Sequence, residues 1–402
     1  MTGLLLAAAA MAAPFSDLDD CPLDEPPRDD IELYVVTVSP GSQPFSFVGH
    51  AGLWVRDPAR RIDHMLEFGA INSSVQEPLS ALLMGTLACS WRVDMMNRQQ
   101  RIWTKTERQA VAQKLDLPDD ALRPFVEEVY AAADSRRETT AIFHWKERSC
   151  ATEIRDILDR ALSGQIEAQL SAVAPLTPRQ EILRHLGPHW WAWVGWHHQA
   201  GASVDRPQTR YDAAFAPIRL AEGLVDVQVQ HPDGPRSLIS ETCRLAEGRH
   251  RWPAEGPPQR IGWMTLIGVV FGGSVVALGQ AGRHRAVAIA AILIGVIGGV
   301  LGTANVVLAA VSALDAYGPN RNWFVTSPLT LALIACGVAW WSGRRPRWAA
   351  IAAATLAILS LLGVLIAPVP VVVQQNLDFL GLMVPILAAL AWVGRRGDPA
   401  FS

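Results

Sequence analysis

Phe47-Val48-Gly49-His50-Ala51-Gly52 and, a hundred residues later, Glu147-Arg148-Ser149-Cys150-Ala151-Thr152 are the two stretches that decide the reading of this chain. The first places a histidine between glycines on an extended segment. In the second, a cysteine opens a run with Ile154, Ile157, Leu158, Ala161 and Leu162 at helical spacing, so the cysteine sits at a helix N-terminus with Ser149 as N-cap and Glu153 as a first-turn acid. A helix N-terminus favours negative charge through its free N–H groups and its dipole, which lowers a thiol pKa. A nearby imidazole takes the proton and later returns it to a leaving group. Cys150 and His50 therefore read as nucleophile and base, in the order His before Cys. The competing reading, a small buried cysteine and a satisfied core histidine, has no use for either local context.

A third group usually orients the imidazole. His64 and Glu67 lie on the strand that follows His50, and their odd separation sends their side chains to opposite faces. Glu67 is the preferred partner, because a carboxylate fixes the tautomer and stabilises imidazolium.

Around these residues, Ile31–Val38, Phe45–Arg56 and Ile62–Phe68 read as strands of a small antiparallel sheet. Thr106–Lys114 and Asp119–Ala133 carry helical spacing. The expected fold class is α+β: a helix packed on a sheet, with cysteine at the helix start and histidine on a strand, is a papain-like arrangement, and the reversed order makes it circularly permuted. The expected division is a signal-peptide-like segment and leader at 1–20, the catalytic domain at 21–165, a second exported subdomain at 166–258, five transmembrane helices at 259–396 and a cytoplasmic tail at 397–402.

The C-terminal expectation comes from composition. Half of the 402 residues are hydrophobic, and the excess lies beyond Ile261. Ile261–Gln280, Ala286–Ala313, Ser327–Trp341, Trp348–Ala367 and Leu377–Val393 each approach or reach the roughly 17–25 apolar residues that cross a bilayer as helix. Alternating helices put Arg283 and Arg285, Arg344, Arg345 and Arg347, and Arg395 and Arg396 on one face, which the positive-inside rule makes cytoplasmic. The N-terminal region then lies outside, in a multi-pass protein with its C-terminus cytoplasmic. Leu4–Ala12, a short apolar run ending in small residues, agrees as a signal-peptide core. A net charge of −3, with no basic stripe, argues against nucleic acid as a partner.

Five cysteines in an exported chain leave an odd one. Cys336 belongs to a membrane helix, and Cys21, Cys89 and Cys243 supply one disulfide whose pairing the sequence leaves open. Trp190-Trp191-Ala192-Trp193-Val194-Gly195-Trp196-His197-His198 reads either as an aromatic core or as a belt at headgroup depth. His185, His189, His197 and His198 lack the acidic partners or cysteine spacing of a metal site. No metal and no cofactor is expected.

Phe45-Ser46-Phe47-Val48-Gly49-His50-Ala51, Leu66-Glu67-Phe68-Gly69, Arg148 to Asp156, Asp205-Arg206-Pro207 and Phe215-Ala216-Pro217 resemble the Lnb-type lipoprotein N-acyltransferase family, in which a permuted papain-like exported domain precedes membrane helices. Leu314–Leu329 is similar to that family's first outer loop. This chain has Ser149 where the family usually has asparagine, and Glu67 where it commonly has asparagine. The resemblance implies acyl transfer through a Cys150 thioester, from a phospholipid or lipoprotein acyl donor to the N-terminal amine of a diacylated lipoprotein. It also implies substrate-binding positions at Ser46, Gly49, Ser149 and Arg155 in the matching motifs and at Asn320 and Asn322 in the outer loop. Asn320, Asn322 and Gln374-Gln375 read equally as headgroup contacts or as caps and hydrated loop. Hydrolysis by the same pair, or a non-catalytic lipid- or protein-binding membrane module, are the rival functions, since a fold does not dictate its use.

Overall fold

In the computed structural model, β1 (Glu32–Val38) is buried along its whole length, which its β-branched, nearly uncharged sequence suits. The structure describes residue 15 and residues 18–22, 31–72, 74, 76–134, 140–250, 252–367, 369 and 374–396. The signal-peptide-like run and the tail at 397–402 lie outside these. The chain divides into two units, one of residues 1–78, 87–175 and 208–256, the other of residues 79–86, 176–207 and 257–402. Residues 166–258 are thus shared between them.

In the first unit, β1 is followed by β2 (His50–Asp57), β3 (Ile62–Ile71), β4 (Ala88–Met95), β5 (Ala110–Leu115), β6 (Ala141–Ile142), the hairpin β7 (Gln228–His231) and β8 (Gly234–Ser237), and β9 (Ile239–Ala246). Among the described residues seven of these form one sheet in the order β6-β4-β3-β2-β1-β5-β9, and every neighbouring pair is antiparallel. Alternation along β1 sends Leu33 and Val35 into one core, and Tyr34, Val36 and Val38 into another on the opposite face. On the first face Ile154, Ile157 and Leu158 of the Cys150 helix (Cys150–Ala161) and its C-cap Leu162 are buried against Leu53, Val55 and Leu66, each such side chain contributing about 1.5–3 kcal/mol by burial. Met96 and Trp103 of helix Met96–Lys105 fill the second face. The disulfide is Cys21–Cys243, which ties the leader to β9.

Two expectations need correction. Thr106–Lys114 is not helical: β5 occupies Ala110–Leu115 between β1 and β9. Buried along nearly its whole length, Ala110–Leu115 with its Gln113 and Lys114 lacks the apolar–polar alternation that marks a half-buried strand. The expected strand Phe45–Arg56 begins only at His50, because Pro44–Ser46 is a 3₁₀ turn. The Asp119–Ala132 helix and the Cys150 helix are as the spacing indicates.

In the second unit four helices among the described residues are long and apolar enough to cross a membrane: Ile261–Gln280, His284–Val311, Arg347–Leu365 and Leu377–Arg395. The expected fifth span is a bent pair, Asp315–Phe324 and Pro328–Trp341, with 43° between its parts. Gly268 and Gly272 lie against the backbone of Gly381, Leu382 and Pro385, where a Cβ would meet a carbonyl oxygen at 2.4 and 2.7 Å. Small residues allow this backbone approach between apolar helices. The tryptophan cluster divides along its helix: Trp190 and Trp191 are exposed, whereas Trp193 is buried beside His197 and Phe379.

Candidate active site

The chain reaches His50 through a constrained turn. Gly49 has φ +96°, and a Cβ there would meet the Val38 carbonyl oxygen at 2.8 Å, so only glycine fits without strain. His50 then starts β2 opposite Val38. The β2–β3 ladder pairs Leu53 with Leu66; continued by one step it sets Gly52 opposite Glu67, so His50 and Glu67 are diagonal neighbours on one face, within reach of long side chains. His50 Nε2 lies 2.7 Å from Glu67 Oε2. His64 turns the opposite way and meets the Tyr130 hydroxyl at 3.0 Å.

Glu67 is itself held. Its other oxygen accepts from the Arg92 guanidinium and from Gln99 Nε2, the latter at 3.3 Å. Glu67 is 8 % exposed and Arg92 49 % exposed, so the carboxylate is a buried anion bridged by a histidine and a partly solvated arginine.

Cys150 is fixed by its helix cap. The Ser149 hydroxyl accepts from the Thr152 N–H, and the Thr152 hydroxyl accepts from the Ser149 N–H at 2.6 Å, the reciprocal arrangement of a capping box. Ser149 Oγ also donates to the Phe215 carbonyl at 3.3 Å. One turn on, Arg155 donates to the Tyr211 carbonyl at 2.9 Å and lies over the Tyr211 ring at 4.1 Å. The N–H groups of Ala51 and Ala151 and the His50 side chain hydrogen-bond the Cys150 sulfur. With Nε2 on Glu67, Nδ1 is the ring nitrogen left for the thiol.

The charges follow from these contacts. Burial pushes the Cys150 thiol up, but the His50 charge, its hydrogen bond and the two backbone N–H groups outweigh burial and bring the thiol below its ordinary value. Burial pushes His50 down, yet the Cys150 thiolate and then Glu67 raise it to about 10. Burial raises Glu67, and its bonds to His50 and Arg92 overcome that and lower it to about 2. The resting state these shifts favour is a thiolate–imidazolium pair with an ionised carboxylate behind it. Cys89 is driven the other way, to about 11, by burial and by the Cys150 charge, which leaves it an unreactive thiol.

The remaining sequence candidates have other partners. Ser46 Oγ donates to the Gln43 carbonyl at 2.8 Å. Gly49 acts through its backbone, and Ser149 and Arg155 spend their polar groups holding the nucleophile helix. In the second unit Asn320 and Asn322 are 3 % and 0 % exposed, and their amides donate to the His198 carbonyl at 2.9 Å each. Asn320 also caps the 3₁₀ turn Arg321–Phe324. Arg92, Gln99 and the Ala51 N–H were missed by sequence reasoning, since nothing in a single chain marks which polar residues of β4 and the next helix converge on Glu67.

Residues 23–185 match a family model described as the Lnb N-terminal periplasmic domain. No curated protein and no solved structure matches the chain. The matched span contains His50, Glu67 and Cys150 together with β1 to β6 and the whole nucleophile helix. Residues 23–185, the segment that holds all three of these side chains, are thus similar to the Lnb N-terminal periplasmic domain.

Proposed function

We propose that this protein is a membrane-bound cysteine acyltransferase that moves a fatty acyl chain through a Cys150 thioester to the N-terminal amine of diacylglyceryl lipoproteins. The observation that carries the reading is the Cys150–His50–Glu67 charge relay at a capped helix N-terminus, inside an Lnb periplasmic domain and followed in the chain by membrane-length helices. On this reading the first unit is a permuted papain-like domain on the outer face of the bacterial inner membrane, and the C-terminus is cytoplasmic.

In the first half-reaction the thiolate attacks an ester carbonyl of a membrane lipid. A carbon–sulfur bond forms, the carbon–oxygen bond breaks, and His50 gives its proton to the departing glycerol oxygen. In the second half the lipoprotein amine attacks the thioester, its proton passes to His50, and the sulfur leaves as thiolate. The Ala51 and Ala151 N–H groups, already aimed at the sulfur, are suited to hold the oxyanion of each tetrahedral intermediate. Tethering this site to membrane helices keeps the thiolate near lipid esters, the proximity advantage of intramolecular reactions.

The test is mass spectrometry of the N-terminal peptide of a reporter lipoprotein in cells lacking their own N-acyltransferase, supplied with wild type or Cys150→Ala. An added amide-linked acyl chain with wild type alone is the expected result. No added chain from an expressed wild-type protein would overturn the transferase reading in favour of hydrolysis.

A further inference from the structure

Arg108 takes no part in the chemistry described so far, yet the sheet brings it to the same place. Val38, the last residue of β1, pairs with His50 on one side and Ala110 on the other. Paired residues share a face, so Val38, His50 and Ala110 point the same way. Arg108, two residues before Ala110, lies at that end of the sheet, in an isolated bridge with His250. It is anchored there: its Nε donates to the Ser39 carbonyl at 2.7 Å, and Ser39 is bound back to the Gln109 N–H through its hydroxyl at 2.9 Å.

One end of the guanidinium is unmet. Arg108 Nη2 is shielded from solvent and has no hydrogen-bond partner among the described residues. A buried ionised donor without an acceptor is costly, and such groups are rare unless a function fills them. Burial lowers Arg108 to about 10, and the charges that act against this are Cys150 and Glu67, the two anions of the site. The neighbouring segment Ser42–Phe45 is exposed, and Gly41 packs directly on the Arg108 side chain, so an entering ligand that shifts this segment displaces little buried surface.

We propose that Arg108 is the anion-recognition residue of the acyl-donor site, and that its free Nη2 receives a phosphodiester oxygen of a glycerophospholipid. Arginine is suited to this because its planar fork matches phosphate and carries a permanent charge. A diacylglyceryl group, whether free or on a lipoprotein, has no anionic oxygen to offer. This assignment rests on the acyl-transfer reading and names its donor class.

The experiment uses the full-length protein in detergent, mixed with either phosphatidylglycerol or diacylglycerol of the same acyl chains. Hydroxylamine-sensitive acylation of Cys150 is followed by intact mass over time. Wild type is expected to acylate faster from the phospholipid, and Arg108→Gln to lower the phospholipid-to-diacylglycerol rate ratio roughly ten- to hundredfold, the worth of a hydrogen bond to a charged group. Arg108→Lys, which keeps the charge without the fork, is expected to fall between. Inorganic phosphate that slows the phospholipid reaction more than the diacylglycerol reaction in wild type alone further supports the anion site. An unchanged ratio in Arg108→Gln overturns the assignment while leaving the thioester chemistry standing. Loss of both reactions by both variants gives Arg108 an architectural role and also overturns it. No thioester from either lipid in wild type sinks the acyl-transfer reading itself, and the Arg108 assignment with it.

Discussion

His50 Nε2 stands 2.7 Å from Glu67 Oε2, and this one contact sets the tautomer, the charge and the direction of the imidazole. A carboxylate on Nε2 requires a proton there and turns Nδ1 toward the thiol. It also makes the imidazolium form cheap, which allows the thiol to ionise well below its usual range.

The pH profile of Cys150 alkylation follows. Cys150 is depressed, so the thiolate is present above its folded pKa and is lost as pH falls through it. His50 is raised to about 10, so the imidazolium partner is present at neutral pH and is lost as pH rises through about 10. Iodoacetamide reactivity is expected to reach its plateau at a lower pH than that of a free thiol. A reactivity curve that rises only near pH 9 would show that the pair is not charged at rest.

Glu67→Gln keeps the shape and removes the charge. The support for imidazolium weakens, so His50 titrates at lower pH and Cys150 at higher pH. The rate of Cys150 acylation is expected to fall about ten- to hundredfold, less than the roughly 10²–10⁴-fold expected for His50→Ala, where general acid–base catalysis itself is lost. Steady-state rates of both variants across pH check the order, and equal losses would mean that the carboxylate does more than orient.

Stability at low pH has a component from the same carboxylate. The folded value of Glu67 is about 2, against about 4.5 when unperturbed, so its contribution is full above the unfolded value and disappears as pH falls from about 4.5 to about 2. Urea midpoints between those pH values are expected to fall more steeply for wild type than for Glu67→Gln.

Gly49→Ala places a Cβ against the Val38 carbonyl at a backbone angle that side chains avoid. A cost of about 1–3 kcal/mol is expected, together with loss of the His50 position. Thermal melting and Cys150 alkylation rate should both drop. A variant with normal stability and normal reactivity would contradict the turn geometry.

Ser149→Ala removes the acceptor of the Thr152 N–H and is expected to lower stability by about 1 kcal/mol. Ser149→Asn, which restores a good cap, is expected to recover most of it. Thermal denaturation of the three proteins decides the point.

The site was more legible in the sequence than the sheet that carries it. Cys150 announced itself through the apolar spacing of its helix and the Ser149 cap, both local signals. Residue parity narrowed the partner of His50 to either His64 or Glu67, and the chemistry of a carboxylate chose Glu67. The strands β5 and β9 were illegible for a tertiary reason: β5 is covered on both faces, and β9 gains its place only by pairing with it. Arg92, Gln99 and Arg108 are ordinary polar residues in sequence and acquire meaning only when the sheet folds them toward the two anions.

The Cys21–Cys243 bond and β9 together govern when the first unit can close. β9 ends at Ala246, only fifteen residues before Ile261 opens the first membrane-length helix, while His50 and Cys150 are synthesised long before. His50 and Cys150 are therefore made on an unfinished sheet, and the first unit can close only once synthesis has come close to the first membrane-length helix. A fragment ending at the helix that bears Cys150 would contain His50, Glu67 and Cys150 and still lack the edge strand and the oxidised cross-link, so the smallest piece with the whole sheet must reach Ala246.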